Sequence, residues 1–241
     1  MKNYLDFTQK LNIDNVGFDA KMSPADIMGL FQKAVTEHTF KLQLDFESIR
    51  KKYGAKWFIV SARLEIIKAP VIDDVVTVST WPLKASALKF PRAFVMKDKD
   101  GGILANAMTD WCIANCETDE IMKASLLQFP FSDFISENPT EQRCKIPVCD
   151  SGELCYERKI LLSDLDLNRH VNNVSYLRIA FDCFTMSEME NMQIKSVDMQ
   201  YKKQTYEGDT ISLYKLKTDT GYIIDAKKDG EIVFRAKIDV K

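Results

Sequence analysis

The chain lacks most of the signals that assign a protein at a glance. Its first residues show no charged segment leading into an apolar stretch, so no secretory leader is expected. No apolar run approaches the roughly 18 residues a spanning helix needs, and no membrane span is expected. The six cysteines, Cys112, Cys116, Cys144, Cys149, Cys155 and Cys183, form no C-x-x-C pair, and neither histidine stands near one at metal-ligand spacing. The expectation is reduced thiols in a cytoplasmic protein, with no metal and no other cofactor. No G-x-S-x-G elbow is present to carry a nucleophilic serine. Charge of neither sign dominates: 33 Lys and Arg face 35 Asp and Glu, which argues against a general nucleic-acid binder. Histidine is scarce, with only His38 and His170. What remains is 46% hydrophobic and 28% charged, the balance of a globular chain with a well-filled core.

The chain repeats itself. Lys10-Leu11 falls on Lys159-Ile160, and the match runs ungapped to Ser23-Pro24 on Asn172-Asn173 and Ile27 on Tyr176. Each copy reads as a short strand, a turn and an amphipathic helix. The first helix has apolar residues at Ile27, Leu30, Phe31, Ala34 and Val35, the spacing of one helical face. The second has Tyr176, Leu177, Ala180, Phe181 and Phe184. Further on, Leu64-Glu65-Ile66 and the run Asp74 to Val78 match Met199-Gln200-Tyr201 and the run Asp209 to Leu213. Asp100-Gly101-Gly102 then matches Asp229-Gly230-Glu231, each an expected hairpin turn between strands. Three matches in one order predict two α+β halves, residues 1–125 and 154–241. The irregular, proline-punctuated residues 126–153 read as a linker that packs on the body.

One segment carries chemistry. Asp164, Asp166, Asn168, His170, Asn172 and Asn173 crowd the junction into the second helix. Capping accounts for Asn172 and Asn173, which are good N-cap residues. It does not account for His170. The first copy supplies a control: Gly17, Asp19 and Lys21 stand where Asp166, Asn168 and His170 stand in the second. The turn therefore does not require the Asp-x-Asn-x-His set. A helix N-terminus offers free N–H groups and a positive dipole end, suited to a carbonyl oxygen that gains charge. His170 can donate to that oxygen or shuttle a proton, Asp166 can orient or activate a water, and Asn168 can position either. With no serine elbow and no cysteine in the segment, attack by water is the preferred mechanism. His38 reads as a packed helix histidine with one satisfied nitrogen. Cys112 and Cys116 read as core thiols on a strand covering residues 108–116. Lys202-Lys203 reads as a solvated face, and Trp57, Trp81 and Trp111 as core or pocket wall.

The run Asp166-x-Asn168-x-His170-Val171-Asn172-Asn173-x-x-Tyr176 resembles the signature of acyl-acyl-carrier-protein (acyl-ACP) thioesterases of plant plastids and bacteria. The strand Asp74 to Trp81 and the Asp100-Gly101-Gly102 hairpin leading to Trp111 are similar to their first-half pattern. The resemblance implies a bacterial member with a tandem hotdog fold: two long helices, each wrapped by a curved antiparallel sheet. It implies hydrolysis of the thioester joining an acyl chain to the carrier's phosphopantetheine arm, releasing free fatty acid and holo-ACP in fatty acid biosynthesis. By the motif, the family's catalytic Asp, Asn and His correspond to Asp166, Asn168 and His170. Its catalytic glutamate belongs where Gln204 stands, in Gln200-Tyr201-Lys202-Lys203-Gln204-Thr205, with Thr205 where some members carry cysteine. An amide cannot act as a base. Either Asp166 or His170 then takes that role, and Gln204 is expected to position the water.

The first half, freed from catalysis, is expected to form the acyl pocket. Ile27, Leu30, Phe31, Ala34 and Val35 would line it from the helix, and Trp57 from the sheet beside Ile59 and Val60. Asn172 and Asn173 are the further substrate-binding candidates. The acidic carrier protein is expected to meet a basic patch drawn from Arg169, Arg178, Lys202 and Lys203, and pairing into a homodimer is left open. Two alternatives stay open: an acyl-CoA thioesterase of the same fold, and a non-catalytic acyl-binding hotdog protein, which Gln204 would suit.

Overall fold

The computed structural model describes residues 2–140, 143–147 and 152–241; Cys149 and part of the stretch read as a linker lie outside them. The chain divides into two compact units. Residues 1–62 with 67–143 form one, and residues 63–66 with 144–241 form the other.

In the first unit, β1 (Leu5–Lys10) leads through a 3-10 turn into α1 (Pro24–Lys41) and α2 (Phe46–Tyr53). Strands β2 (Ala55–Ile66), β3 (Val75–Pro82), β4 (Phe90–Lys97) and β5 (Ile103–Asn115) follow; the last four residues of β2 group with the second unit. The strands lie in the order β1-β3-β4-β5-β2. In the second unit, β6 (Glu153–Lys159), α3 (Asn173–Phe181), α4 (Met186–Glu190), β7 (Ile194–Tyr201), β8 (Thr210–Thr218), β9 (Gly221–Lys228) and β10 (Glu231–Val240) repeat the plan. Their order is β6-β8-β9-β10-β7, the same pattern with each strand replaced by its counterpart.

The internal repeat is reproduced position by position. Lys10 pairs with Val75, and Lys159 pairs with Thr210, the corresponding residues. The 3-10 turns Ile13–Asn15 and Leu162–Asp164 coincide. The helices are capped at matched positions: Ser23 accepts from the Asp26 N–H, and Asn172 from the Val174 N–H. Asp229 and Gly230 both take positive φ, the two-residue turn that a tight β9–β10 hairpin requires.

α1 packs on β1 and β3, with Phe31 stacked on Phe94 at 5.0 Å between ring centroids. α3 packs on β9 and β10, with Tyr176 stacked on Phe234 at 5.2 Å. The second helix is shorter than the long element expected. α1 runs 18 residues, whereas α3 stops after nine, so Phe184 lies beyond it. Local chemistry accounts for the stop. Thr185 and Glu188 form a capping box that starts α4 afresh, and Lys215 Nζ donates to the Cys183 carbonyl at the break. Cys112 is buried in β5 as expected, but Cys116 is half-buried and lies just past the strand, in a turn. Among the described residues no helix is long and apolar enough to cross a membrane.

Candidate active site

The loop before α3 is set by backbone bonds. The Asp166 N–H donates to the His170 carbonyl, and the Arg169 N–H donates to the Asp166 carbonyl, each at 3.0 Å. Arg169 takes a φ of +64° to close the loop. The first unit builds the same loop without the same side chains. Gly17 N–H donates to the Lys21 carbonyl at 2.8 Å, Ala20 N–H to the Gly17 carbonyl at 3.0 Å, and Ala20 has a φ of +59°. Asp166, Asn168 and His170 are therefore not demanded by the turn they occupy.

The Asp166 and His170 side chains face each other. Asp166 Oδ1 accepts the Asn168 N–H at 2.7 Å and lies 3.7 Å from His170 Nδ1. His170 is buried and Asp166 half-buried, so the carboxylate faces the imidazole in a partly desolvated place. The Asn168 carboxamide is half-buried and makes no side-chain hydrogen bond to another described residue. Asn172 Oδ1 caps α3 by accepting the Val174 N–H at 2.8 Å, and its own N–H donates to the Asp164 carbonyl. Asp164 is buried and structural: Arg158 Nη2 and the Leu161 N–H hold its carboxylate at 2.7 and 2.9 Å. The cap occupies only one donor of the first turn, and the others have no intrahelical acceptor.

A second segment is tied to this loop. The Val171 N–H donates to the Thr205 carbonyl at 3.0 Å, just as Met22 N–H donates to the Pro70 carbonyl at 2.8 Å in the first unit. His170 and Gln204 each stand one residue from that bond. Gln204 is half-buried, and its Oε1 accepts the Tyr206 hydroxyl at 2.7 Å. Behind it, the Tyr176 hydroxyl lies 2.6 Å from Thr205 Oγ1, and both residues are buried. Burial pushes the Tyr176 hydroxyl up to about 12. The sequence signals for this pair are Tyr176 closing the motif and Thr205 standing beside Gln204 where some family members carry cysteine.

The expected substrate-binding residues fall into separate groups. Ile27, Leu30, Phe31, Ala34 and Val35 are all buried on one face of α1. Trp57 does not join them. It packs with Leu42, Leu44, Ile49 and Phe90, and its indole donates to the Leu44 carbonyl at 2.8 Å. Asn172 is a cap, and Asn173 begins α3, its carbonyl accepting from the Tyr201 hydroxyl. His38 is a packed histidine, but both ring nitrogens have neighbours. Arg92 Nη1 lies 3.0 Å from Nδ1 and the Lys2 carbonyl 3.4 Å from Nε2. Lys202, Lys203, Arg169 and Arg178 are exposed, and Lys203 pairs with Glu231. Among the described residues no group of three or more His, Cys, Asp or Glu could hold a metal ion.

Residues 3–125 match the acyl-ACP thioesterase N-terminal domain, and residues 153–241 match the acyl-ACP thioesterase C-terminal domain. The chain belongs to the acyl-ACP thioesterase family. Among its relatives, the palmitoyl-acyl carrier protein thioesterase of Arabidopsis thaliana is 26% identical over 82% of this chain and 52% of that protein. Oleoyl-acyl carrier protein thioesterase 2 of the same plant is 20% identical over 81% of this chain and 58% of its own length. The chain thus spans a little over half the length of these relatives. Two solved structures share the fold. An acyl-ACP thioesterase from Bacteroides thetaiotaomicron superposes with a TM-score of 0.89 at 21% identity, covering 99% of this chain and 98% of its own. The 12:0-ACP thioesterase from Umbellularia californica gives 0.86 at 19% identity, covering 100% and 98%. The tandem hotdog architecture expected from the thioesterase resemblance is the one found.

Proposed function

We propose that the chain hydrolyses the thioester of an acyl-ACP, releasing a free fatty acid and the carrier's thiol during fatty acid biosynthesis. The observation that carries this is the loop built twice: one fold, with Asp166, Asn168 and His170 added in the second copy only. The thioester carbonyl lies against the first turn of α3, where N–H groups and the helix dipole stabilise the developing oxyanion. His170, oriented by Asp166, takes a proton from the attacking water and returns it to the leaving thiol. The Asn168 carboxamide and Gln204 hold the water. Gln204 supplies no base, because an amide has no proton-accepting group of suitable basicity. The buried α1 face of the first half, Ile27 to Val35, is the wall against which the acyl chain packs. Residues 126–153 act as a linker between two functional halves. The reaction needs no metal or cofactor. The thiols of Cys112, Cys116, Cys155 and Cys183, none of them in a disulfide, suit a reducing cytoplasm. The acidic carrier meets the exposed Arg169, Arg178, Lys202 and Lys203.

A thiol-release assay over a panel of acyl-ACP chain lengths tests this reading. Wild type is expected to turn over, and His170→Ala to lose at least about 10²-fold in kcat. Near wild-type rate in His170→Ala removes its assigned role. Equal rates on acyl-CoA at matched concentration would redirect the substrate assignment. Gln204 specifically favours one second reading, an acyl-binding protein that holds the chain without cleaving it. That protein would bind acyl-ACP and release no thiol.

A further inference from the structure

We propose that Tyr176 and Thr205 form a hydroxyl clamp that positions Gln204 against the His170 loop. The proposal rests on the hydrolase reading for what Gln204 does, but its geometry is independent of that reading. Tyr176 is held rigidly one turn into α3: its ring stacks on Phe234 and meets Tyr201 edge-on at 6.1 Å. Its hydroxyl lies 2.6 Å from Thr205 Oγ1 and reaches the Lys203 carbonyl at 3.5 Å. Gln204 sits between those two partners, so the residue is gripped on both sides. The Thr205 carbonyl in turn receives the Val171 N–H, which fixes the same segment against the residue after His170.

The first unit shows that the fold does not require this grip. Its matching backbone bond, Met22 to Pro70, forms at 2.8 Å with Ile27 and Pro70 where Tyr176 and Thr205 stand. Neither residue carries a hydroxyl, yet the loop closes the same way. Burying two hydroxyls is costly unless they satisfy each other, and here both are buried and paired. The pair appears in the half that carries the Asp-x-Asn-x-His set and is missing from the half that lacks it. A one-ångström misplacement of a water-holding group can cost about 10²-fold in rate, so a clamp on Gln204 has a definite use.

The test is a mutant cycle with an activity-independent readout. Tyr176→Phe and Thr205→Val are each expected to lower kcat at least about tenfold with little change in KM. Thr205→Ser, which keeps the hydroxyl, is expected to recover most of the loss seen in Thr205→Val. In a Gln204→Ala background, Tyr176→Phe should cost little more, because the group it positions is already gone. Circular dichroism excludes unfolded variants. In parallel, the Gln204 side-chain amide signals in a ¹⁵N spectrum, assigned by their loss in Gln204→Ala, should shift or broaden in Tyr176→Phe and hold in Thr205→Ser. Unmoved amide signals in Tyr176→Phe, or the same fold-loss with and without Gln204, overturns the clamp. Absence of any turnover by wild type would instead count against the hydrolase reading, and the amide spectrum would still decide the clamp.

Discussion

At the scale of single residues, Gln204 is the sharpest departure, because one atom separates it from a base. A carboxylate there would accept the water's proton directly, while the amide can only hold the water. Gln204→Glu is therefore expected to raise kcat about tenfold or more and to add an acidic limb to the pH–rate profile. A variant that only slows would show that the amide's N–H is the feature in use. His38 is a residue of a different kind. Burial, then the neighbouring Arg92 and Lys41, lower it from 6.5 to about 4, while the Lys2 carbonyl acts in the opposite sense. Its folded pKa lies below its unfolded one, so between these values the unfolded chain binds more protons. Stability from this residue is fully present above about pH 6.5 and is lost as pH falls towards 4. Urea unfolding of wild type and His38→Gln across that window checks it: the variant should show a shallower fall. A slope unchanged by the substitution assigns the pH dependence elsewhere.

At the scale of elements, the two helix starts are matched, and they separate stability from activity. Ser23 and Asn172 cap α1 and α3 at equivalent positions. Replacing either with Ala is expected to cost about 1 kcal/mol of stability. Only Asn172→Ala should also lower kcat/KM, because in the proposed mechanism only α3 presents its first turn to the thioester carbonyl; thermal melts and steady-state rates side by side read both effects. An equal loss of rate in Ser23→Ala would deny α3 that special place. The Asn172 cap and the Asp-Gly hairpins were legible in the sequence because each depends on neighbours within a few residues. The break after Phe181 was not, because the apolar spacing carries on through Phe184 while the Thr185–Glu188 box and Lys215 decide the backbone. Trp57 was misgrouped for a similar reason. Its partner is the Leu44 carbonyl in the segment after α1, which no periodicity in its own strand reveals. The Asp-x-Asn-x-His set was legible because it lies in one loop. The Tyr176–Thr205 pair was hidden because its two members are brought together only by folding, with the rest of α3, α4 and β7 between them in the chain.

At the scale of the whole molecule, the question is how a doubled fold divides its labour. Both halves keep the loop, the cap and the strand order, but the first puts Gly17 and Lys21 where the second puts Asp166 and His170. Neither a glycine nor a lysine can take up and return a proton near neutral pH as a histidine beside a carboxylate can. The proposed mechanism therefore has one catalytic centre per chain. His170→Ala should therefore abolish essentially all turnover, whereas two working centres would leave about half. The released half is free to specialise in length. Each CH₂ of an acyl chain that finds apolar wall contributes about 0.8 kcal/mol, so small changes of wall volume move the preferred length by a carbon or more. Leu30, buried at mid-helix on the α1 face, is the place to test it. Leu30→Phe adds volume and should shift the released fatty acids towards shorter chains, at a stability cost of about 1–3 kcal/mol from overpacking. Leu30→Ala should shift them the other way. Gas chromatography of the products from a mixed acyl-ACP pool reads both directions. A profile that moves with neither substitution means that the α1 face is core alone, and that the acyl chain is accommodated by the catalytic half instead.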